Sequence, residues 1–204
     1  MTVHLHRGDL PDGLSFGDAV AIDSETMGLR FRRDDLCVVQ LSDGRGDAHI
    51  VQLDRPGYDC PNLKALLIDP AVTKIFHFGR FDIAMFALHL GVTTAPVYCT
   101  KIASKLARTY TDRHGLKDVT RELLNIELSK AQQSSDWGQA TLTPEQINYA
   151  ASDVLNLHAL RDRLDAMLER EGRAELARAC FAFLPWRARL DLAGWEDQDV
   201  FAHT

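Results

Sequence analysis

Cysteine is scarce, four in 204 residues, and Cys37, Cys60, Cys99 and Cys180 form neither a Cys-x-x-Cys pair nor a zinc-ligand spacing. That argues against a disulfide framework and against a zinc module. Cys37 and Cys99 lie in apolar surroundings and are expected to be buried and reduced. No apolar run has the length of a membrane span, and Met1–Leu10 carries His4, His6, Arg7 and Asp9 rather than a signal-type core. The expected location is therefore cytoplasmic, with no membrane partner. Positive charge is also in short supply: 23 Lys and Arg against 29 Asp and Glu leave a formal charge of −6. A long nonspecific track for polyanions needs a clustered basic stripe, so none is expected. A short oligonucleotide held by metal and a few local contacts remains compatible. Repeats and low-complexity tracts are absent.

Apolar residues make up 46% and charged residues 25% of the chain, the balance of a folded globular protein. A single domain over 1–204 is expected, with its core at about 19–170 and a helical, aromatic extension over 171–204. Ala19–Ser24 reads as a buried strand with a polar tip. Leu36–Ser42 and His49–Leu53 read as two more, joined by the turn-rich Asp43–Asp47, so the first three strands predict an antiparallel meander. Leu63–Ile68 predicts a short helix, Lys74–Phe78 a fourth strand, Phe81–Leu90 a helix and Val97–Cys99 a short fifth strand. The rest reads as helical: Lys101–Tyr110, Leu116–Leu124, Pro144–Arg170 and about Ala174–Phe183. Thr143 and Pro144 give the third of these a clear start. This order implies an α/β domain with a mixed sheet of RNase H-like type flanked by helices.

Three acidic fragments stand out. Asp23 and Glu25, two apart at a strand end, point to one face. Asp82 opens a helix directly after an apolar strand, where ligand sites of open α/β sheets gather, although the helix dipole alone also favours an acid there. Tyr149 and Asp153, four apart on the Pro144 helix, share a face. Carboxylates brought together repel one another unless cations neutralise them. Asp23, Glu25, Asp82 and Asp153 are therefore read as ligands of two divalent cations, Mg²⁺ or Mn²⁺, with Tyr149 orienting a water. That is the layout of a two-metal phosphodiesterase.

These residues resemble the motifs of the DEDD superfamily of 3′-5′ exonucleases: Asp23-Ser24-Glu25, then His77-Phe78-Gly79-Arg80-Phe81-Asp82, then Tyr149-x-x-x-Asp153. The tyrosine places the resemblance in the DEDDy subclass; the histidine subclass would have His where Asn148 stands. Leu128–Trp137 resembles the corresponding block of ribonuclease D. At Phe78 the chain departs from many relatives, which carry Asn. The helical RNA-binding domains of ribonuclease D are not expected in a chain of this length, which so resembles the compact nanoRNase C type. The resemblance implies an exoribonuclease that releases 5′-mononucleotides from very short single-stranded RNAs, dinucleotides included, and assembles as a homo-oligomer. It further implies that Glu25 and Thr26 contact the 3′-terminal sugar and that Leu29 wedges between terminal bases.

Further substrate contacts are expected from His77 and, among the cations, from Arg80 first, then Arg30, Arg32, Arg33, Lys101, Lys105, Arg108 and the Arg113–Lys117 cluster. The aromatic stretch Phe181–Trp186, with Trp195 and Phe201, is expected to cover the core or to join subunits. The competing readings are trimming of structured RNA such as tRNA 3′ ends, a DNA 3′-5′ exonuclease, and a catalytically silent binding module. Clustered carboxylates count against the last.

Overall fold

A computed structural model of the protein describes residues 2–129 and 131–203. Met1 and Thr204, at the ends of the expected domain, and Lys130, in the block before Trp137, lie outside the described residues. Strands β1 (Thr2–Arg7), β2 (Ala19–Thr26), β3 (Leu36–Ser42), β4 (Asp47–Gln52), β5 (Thr73–Phe76) and β6 (Val97–Cys99) form one sheet in the order β1-β4-β3-β2-β5-β6. The expected meander is there: β2, β3 and β4 pair antiparallel. β1 joins β4, and β5 and β6 extend from β2, all in parallel. The result is the mixed sheet of the RNase H-like class. β3 is buried along its whole length, as is β2 from Ala19 to Ile22. Such continuous apolar runs belong to central strands covered on both faces.

The helices are α1 (Pro61–Ile68), α2 (Arg80–Met85), α3 (Thr100–Ala107), α4 (Leu116–Leu124), α5 (Pro144–Leu155), α6 (Leu157–Arg170) and α7 (Ala174–Leu190). α5 lies across β2, β3 and β4, α6 packs on α3, and α7 packs on α2 and β6. Leu157, Leu160, Leu164 and Leu168 recur at helical spacing along α6 and are all buried. Each such leucine stabilises the fold by about 1.5–3 kcal/mol.

Several boundaries differ from expectation. β1 falls in a segment without a predicted element, and its pairing with β4 is what makes it a strand. The helix expected over 144–170 is two, because the chain turns at Asn156 (φ −103°, ψ −3°) and α6 starts on a new axis. α2 begins at Arg80, and its continuation over Phe86–Leu90 is a widened π turn that Gly91 ends in the left-handed region (φ 71°). α7 runs past Phe183 to Leu190 despite Pro185 in its interior. Burial of Phe181, Leu184, Pro185 and Ala188 along one side offsets the backbone hydrogen bond that proline removes. The C-terminal aromatics differ in burial. Phe181 is buried against Tyr98, ring centroids 4.5 Å apart, whereas Trp186 and Phe201 are exposed. Cys37 and Cys99 are buried free thiols, as expected.

Candidate active site

β2 carries the first two acids. Its apolar half anchors it in the sheet centre, and its last four residues, Asp23–Thr26, emerge half-buried at the strand's C-terminal end. α5 brings the third. Thr143 accepts from the Gln146 backbone N–H (3.2 Å), and the Gln146 side chain accepts in return from the Thr143 N–H (2.9 Å), a capping box that fixes where the helix starts. The Gln146 amide also donates to Ser135 Oγ (3.0 Å) and the Asp136 carbonyl (2.9 Å). This ties the Leu128–Trp137 block to α5, and buried Trp137 packs beside Tyr149 at 6.1 Å between ring centroids.

With the elements so placed, Asp23, Glu25 and Asp153 each offer a carboxylate oxygen, all within 4.8 Å of one another. Asp82, buried at the start of α2, accepts from Ser24 Oγ at 2.5 Å and contributes to the repulsion felt by Asp23 and Glu25. The four predicted acids thus share one electrostatic site. Burial is the main cause of the perturbation of all four, and for Asp23 and Glu25 repulsion from the neighbouring carboxylates adds to it. Together these hold Asp23 well above the usual carboxylate range and push Glu25 up to about 9. Asp153 is raised to about 7, opposed by Tyr149, and Asp82 to about 6, opposed by the Ser24 hydroxyl. Burial first, then the charges of Asp153 and Glu25, push the Tyr149 phenol upward, so it stays protonated at neutral pH.

Hard oxygen donors in a low-dielectric site that resists holding their charge are what Mg²⁺ or Mn²⁺ fits. Divalent cations held by Asp23, Glu25 and Asp153, with Asp82 beside them, would relieve this repulsion. Two contributors escaped the sequence reading. Gln40, fully buried on β3 in register with Asp23, donates its amide to Asp23 Oδ2 (2.8 Å) and Glu25 Oε1 (3.5 Å). A lone amide in the apolar run Leu36–Leu41 was the available signal. Ser24 gave none, since its partner lies 58 residues away.

The other expected contacts fare unevenly. Leu29, four residues beyond Glu25, is 81% exposed, an apolar side chain held in water. Thr26 donates to the Gly28 carbonyl (2.6 Å), closing the turn that leads to Leu29. Burial depresses His77 to about 3, and its Nδ1 bonds Thr100 Oγ1 (2.8 Å), so it is neutral and not an ionic phosphate contact. Arg80 is already engaged: Nε and Nη2 grip Asp191 (2.6 and 2.7 Å), and Nη2 also donates to the Glu196 carbonyl (2.6 Å). Arg33 is paired with Asp34, Arg32 donates to the Leu192 carbonyl (3.1 Å), and Arg30 is exposed. Arg108 is not a surface contact at all. Its side chain is fully buried, paired with Glu122 and bonded to Ser104 and the Arg113 carbonyl, because it caps α3 from within the fold.

A model described as 3′-5′ exonuclease matches residues 11–169, a span that includes all four acids and Tyr149. The chain belongs to the 3′-5′ exonuclease family. Within it, ribonuclease D of Acidiphilium cryptum (strain JF-5) is 37% identical over 166 residues, covering 81% of this chain and 42% of that protein. The chain thus spans about two fifths of the length of this curated relative. Among solved structures, Brucella melitensis NrnC with bound Mg²⁺ is 54% identical with a TM-score of 0.96. The same protein bound to pGG is 55% identical with a TM-score of 0.97, and in both cases the likeness covers 100% of each chain. The chain is therefore similar to ribonuclease D over about two fifths of that protein's length and to NrnC throughout.

Proposed function

We propose that the chain is a metal-dependent exoribonuclease that removes 5′-mononucleotides from the 3′ end of very short RNAs, dinucleotides included. The observation that carries this reading is the convergence of Asp23, Glu25 and Asp153, ligand oxygens within 4.8 Å, with Asp82 and Tyr149 beside them. Asp23, Glu25, Asp82 and Asp153 would hold two Mg²⁺ or Mn²⁺ ions, which when bound lower the pKa of water and neutralise charge on the scissile phosphate. The phenol of Tyr149 positions the attacking water. Because it stays protonated, it acts as a hydrogen-bonding group and not as the base. Gln40 keeps the Asp23 and Glu25 carboxylates turned toward the shared site.

Substrate length follows from what stands beyond the acids. A cavity of about 930 Å³, whose lining includes Phe81, the residue before Asp82, opens between Leu29, Phe78 and Arg80 on one side and Leu192, Gly194 and Glu196 of the C-terminal segment on the other. Asp191, buried and ion-paired to both Arg80 and Arg187, fastens that segment in place. A space of this size suits one or two nucleotides better than a long strand. The pGG-bound relative supports the same reading. A homo-oligomer in the cytoplasm completes the proposal, and exposed Leu176 and Trp186 on α7 offer apolar surface for subunit contact. Among the described residues, no helix is long and apolar enough to cross a membrane.

A series of 5′-labelled RNAs from two to about twenty nucleotides, with Mg²⁺, Mn²⁺ or EDTA, tests the proposal. It predicts metal-dependent hydrolysis fastest on dimers. Preference for structured RNA would move the assignment to tRNA-type 3′ trimming, which likeness to ribonuclease D favours. Preference for DNA would move it to a DNA exonuclease.

A further inference from the structure

The sheet edge formed by β1 carries a group of side chains that hydrolysis does not use. His4 and His6, two apart on β1, point to one face of the strand. His49 on β4 is the register partner of His4, so all three imidazoles share that face. The acids belong to the other one. Asp23 pairs with Gln40, Gln40 with Ile50 and Ile50 with Leu5, and this row alternates with the histidines along β4 and β1.

The three imidazoles are half-buried and close together. His6 Nε2 lies 3.0 Å from His49 Nδ1, and the His4 ring lies nearly parallel to that of His49, centroids 4.7 Å apart. Buried Phe16 stands edge-on to His49 at 5.4 Å, and Asp47 Oδ2 lies 4.0 Å from His4 Nε2. Burial first, then the neighbouring imidazoles, holds His6 and His49 below the ordinary histidine value, with Asp47 and Asp43 opposing this at His49. Both rings are therefore mainly neutral near pH 7, the form in which imidazole binds a metal.

Two ring nitrogens this close can share an ion as well as a hydrogen. An ion about 2.0–2.1 Å from each, the usual metal–imidazole bond length, would see them at roughly a right angle. Neighbouring ligands meet at that angle in square-planar and octahedral sites, whereas a tetrahedral site opens wider. Cu²⁺ and Ni²⁺ favour such nitrogen sites, and Mg²⁺ favours oxygen. The hydrogen now between His6 and His49 belongs to one ring and would move to that ring's other nitrogen as the two rings tip toward the ion. His4, with 42% of its side chain exposed, has room to turn a nitrogen inward as the third donor.

We propose that His6 and His49, completed by His4, form a second metal site, for Cu²⁺ or Ni²⁺, on the sheet face opposite the catalytic acids. Bound there, the ion ties the edge strand β1 to β4 and takes no part in hydrolysis. A protein inert toward RNA would still bind it, so this site and the exonuclease reading stand or fall separately.

Electron paramagnetic resonance of the full chain with equimolar Cu²⁺, and Mg²⁺ in excess for the acids, tests the site. The unaltered protein should show splitting from two or three imidazole nitrogens. His6→Gln and His49→Gln should each remove that pattern and weaken Cu²⁺ binding by at least about 10- to 100-fold, the loss typical of residues that merely orient a ligand. Both variants should hydrolyse RNA in Mg²⁺ as the unaltered protein does, which also reports that they fold. An oxygen-only spectrum from the unaltered protein overturns the site. So does a nitrogen pattern that survives in either variant, as it would if the ion sat at another histidine. A Ni²⁺-soaked crystal decides without any variant: an anomalous peak bonded to His6 Nε2 and His49 Nδ1 supports the site, and no peak there removes it.

Discussion

Removing the Asp153 charge should make the metal-free protein more stable and the metal-loaded protein less so. The Asp153 carboxyl is raised to about 7 in the fold, against about 3.9 for a free aspartate. About three pH units at about 1.4 kcal/mol each bound the cost of its charge at roughly 4 kcal/mol. The group is half-buried, and water screening reduces this to about 1–2 kcal/mol, or roughly 2–8 °C in Tm for a chain of this size. Because the folded value lies above the unfolded one, the penalty is absent below about pH 4, where the group is protonated in both states. It accumulates as pH rises through about 7 and is complete at pH 8. Asp153→Asn, measured by calorimetry in EDTA, should therefore melt above the unaltered protein at pH 8, with a smaller gap at pH 5. Excess Mg²⁺ should reverse the order: ion at about 100 times its Kd stabilises a competent site by about 2.7 kcal/mol, and the variant has lost a ligand. If Asp153→Asn melted lower in EDTA at pH 8, or if Mg²⁺ left the order unchanged, the electrostatic account of the site would be wrong.

Three further outcomes follow from the same geometry. Tyr149→Phe should lower kcat about 100-fold or more on a dinucleotide, with unchanged Mg²⁺ affinity and Tm, because it removes only the hydroxyl that orients water; normal turnover would dismiss that role. Gln40→Leu should weaken Mg²⁺ half-saturation about 10- to 100-fold, by freeing the Asp23 and Glu25 carboxylates, and an unaltered metal titration would show that the amide is only packing. Thr143→Ala should cost about 1 kcal/mol through loss of the α5 capping box, a drop of roughly 2–4 °C by thermal circular dichroism, and a larger loss would mean that the Gln146 network fails with it.

What could be read in the sequence had a local cause. The acids at Asp23, Glu25 and Asp153 follow strand and helix periodicity, and Asp82 follows an apolar strand, so spacing alone aimed them at one place. β1 was not legible because Thr2–Arg7 is short and half polar, and its partner lies some 45 residues on. The break at Asn156 carries no glycine or proline, and Pro185 misleads in the opposite direction, since packing of α7 overrides it. Long-range pairs were hidden most deeply. Gln40 meets Asp23 only once β2 and β3 are in register, and Arg80 is claimed by Asp191, 111 residues away. Arg108 looked like a surface cation because Glu122, Ser104 and the Arg113 carbonyl surround it only after α3 and α4 have packed.

Crystals soaked in Mn²⁺ and measured at the manganese edge test the central claim most directly. Two anomalous peaks about 3.5–4 Å apart, ligated by Asp23, Glu25, Asp82 and Asp153, are the predicted result. Fully occupied Mn²⁺ elsewhere in the crystal, with no peak among these carboxylates, would contradict it.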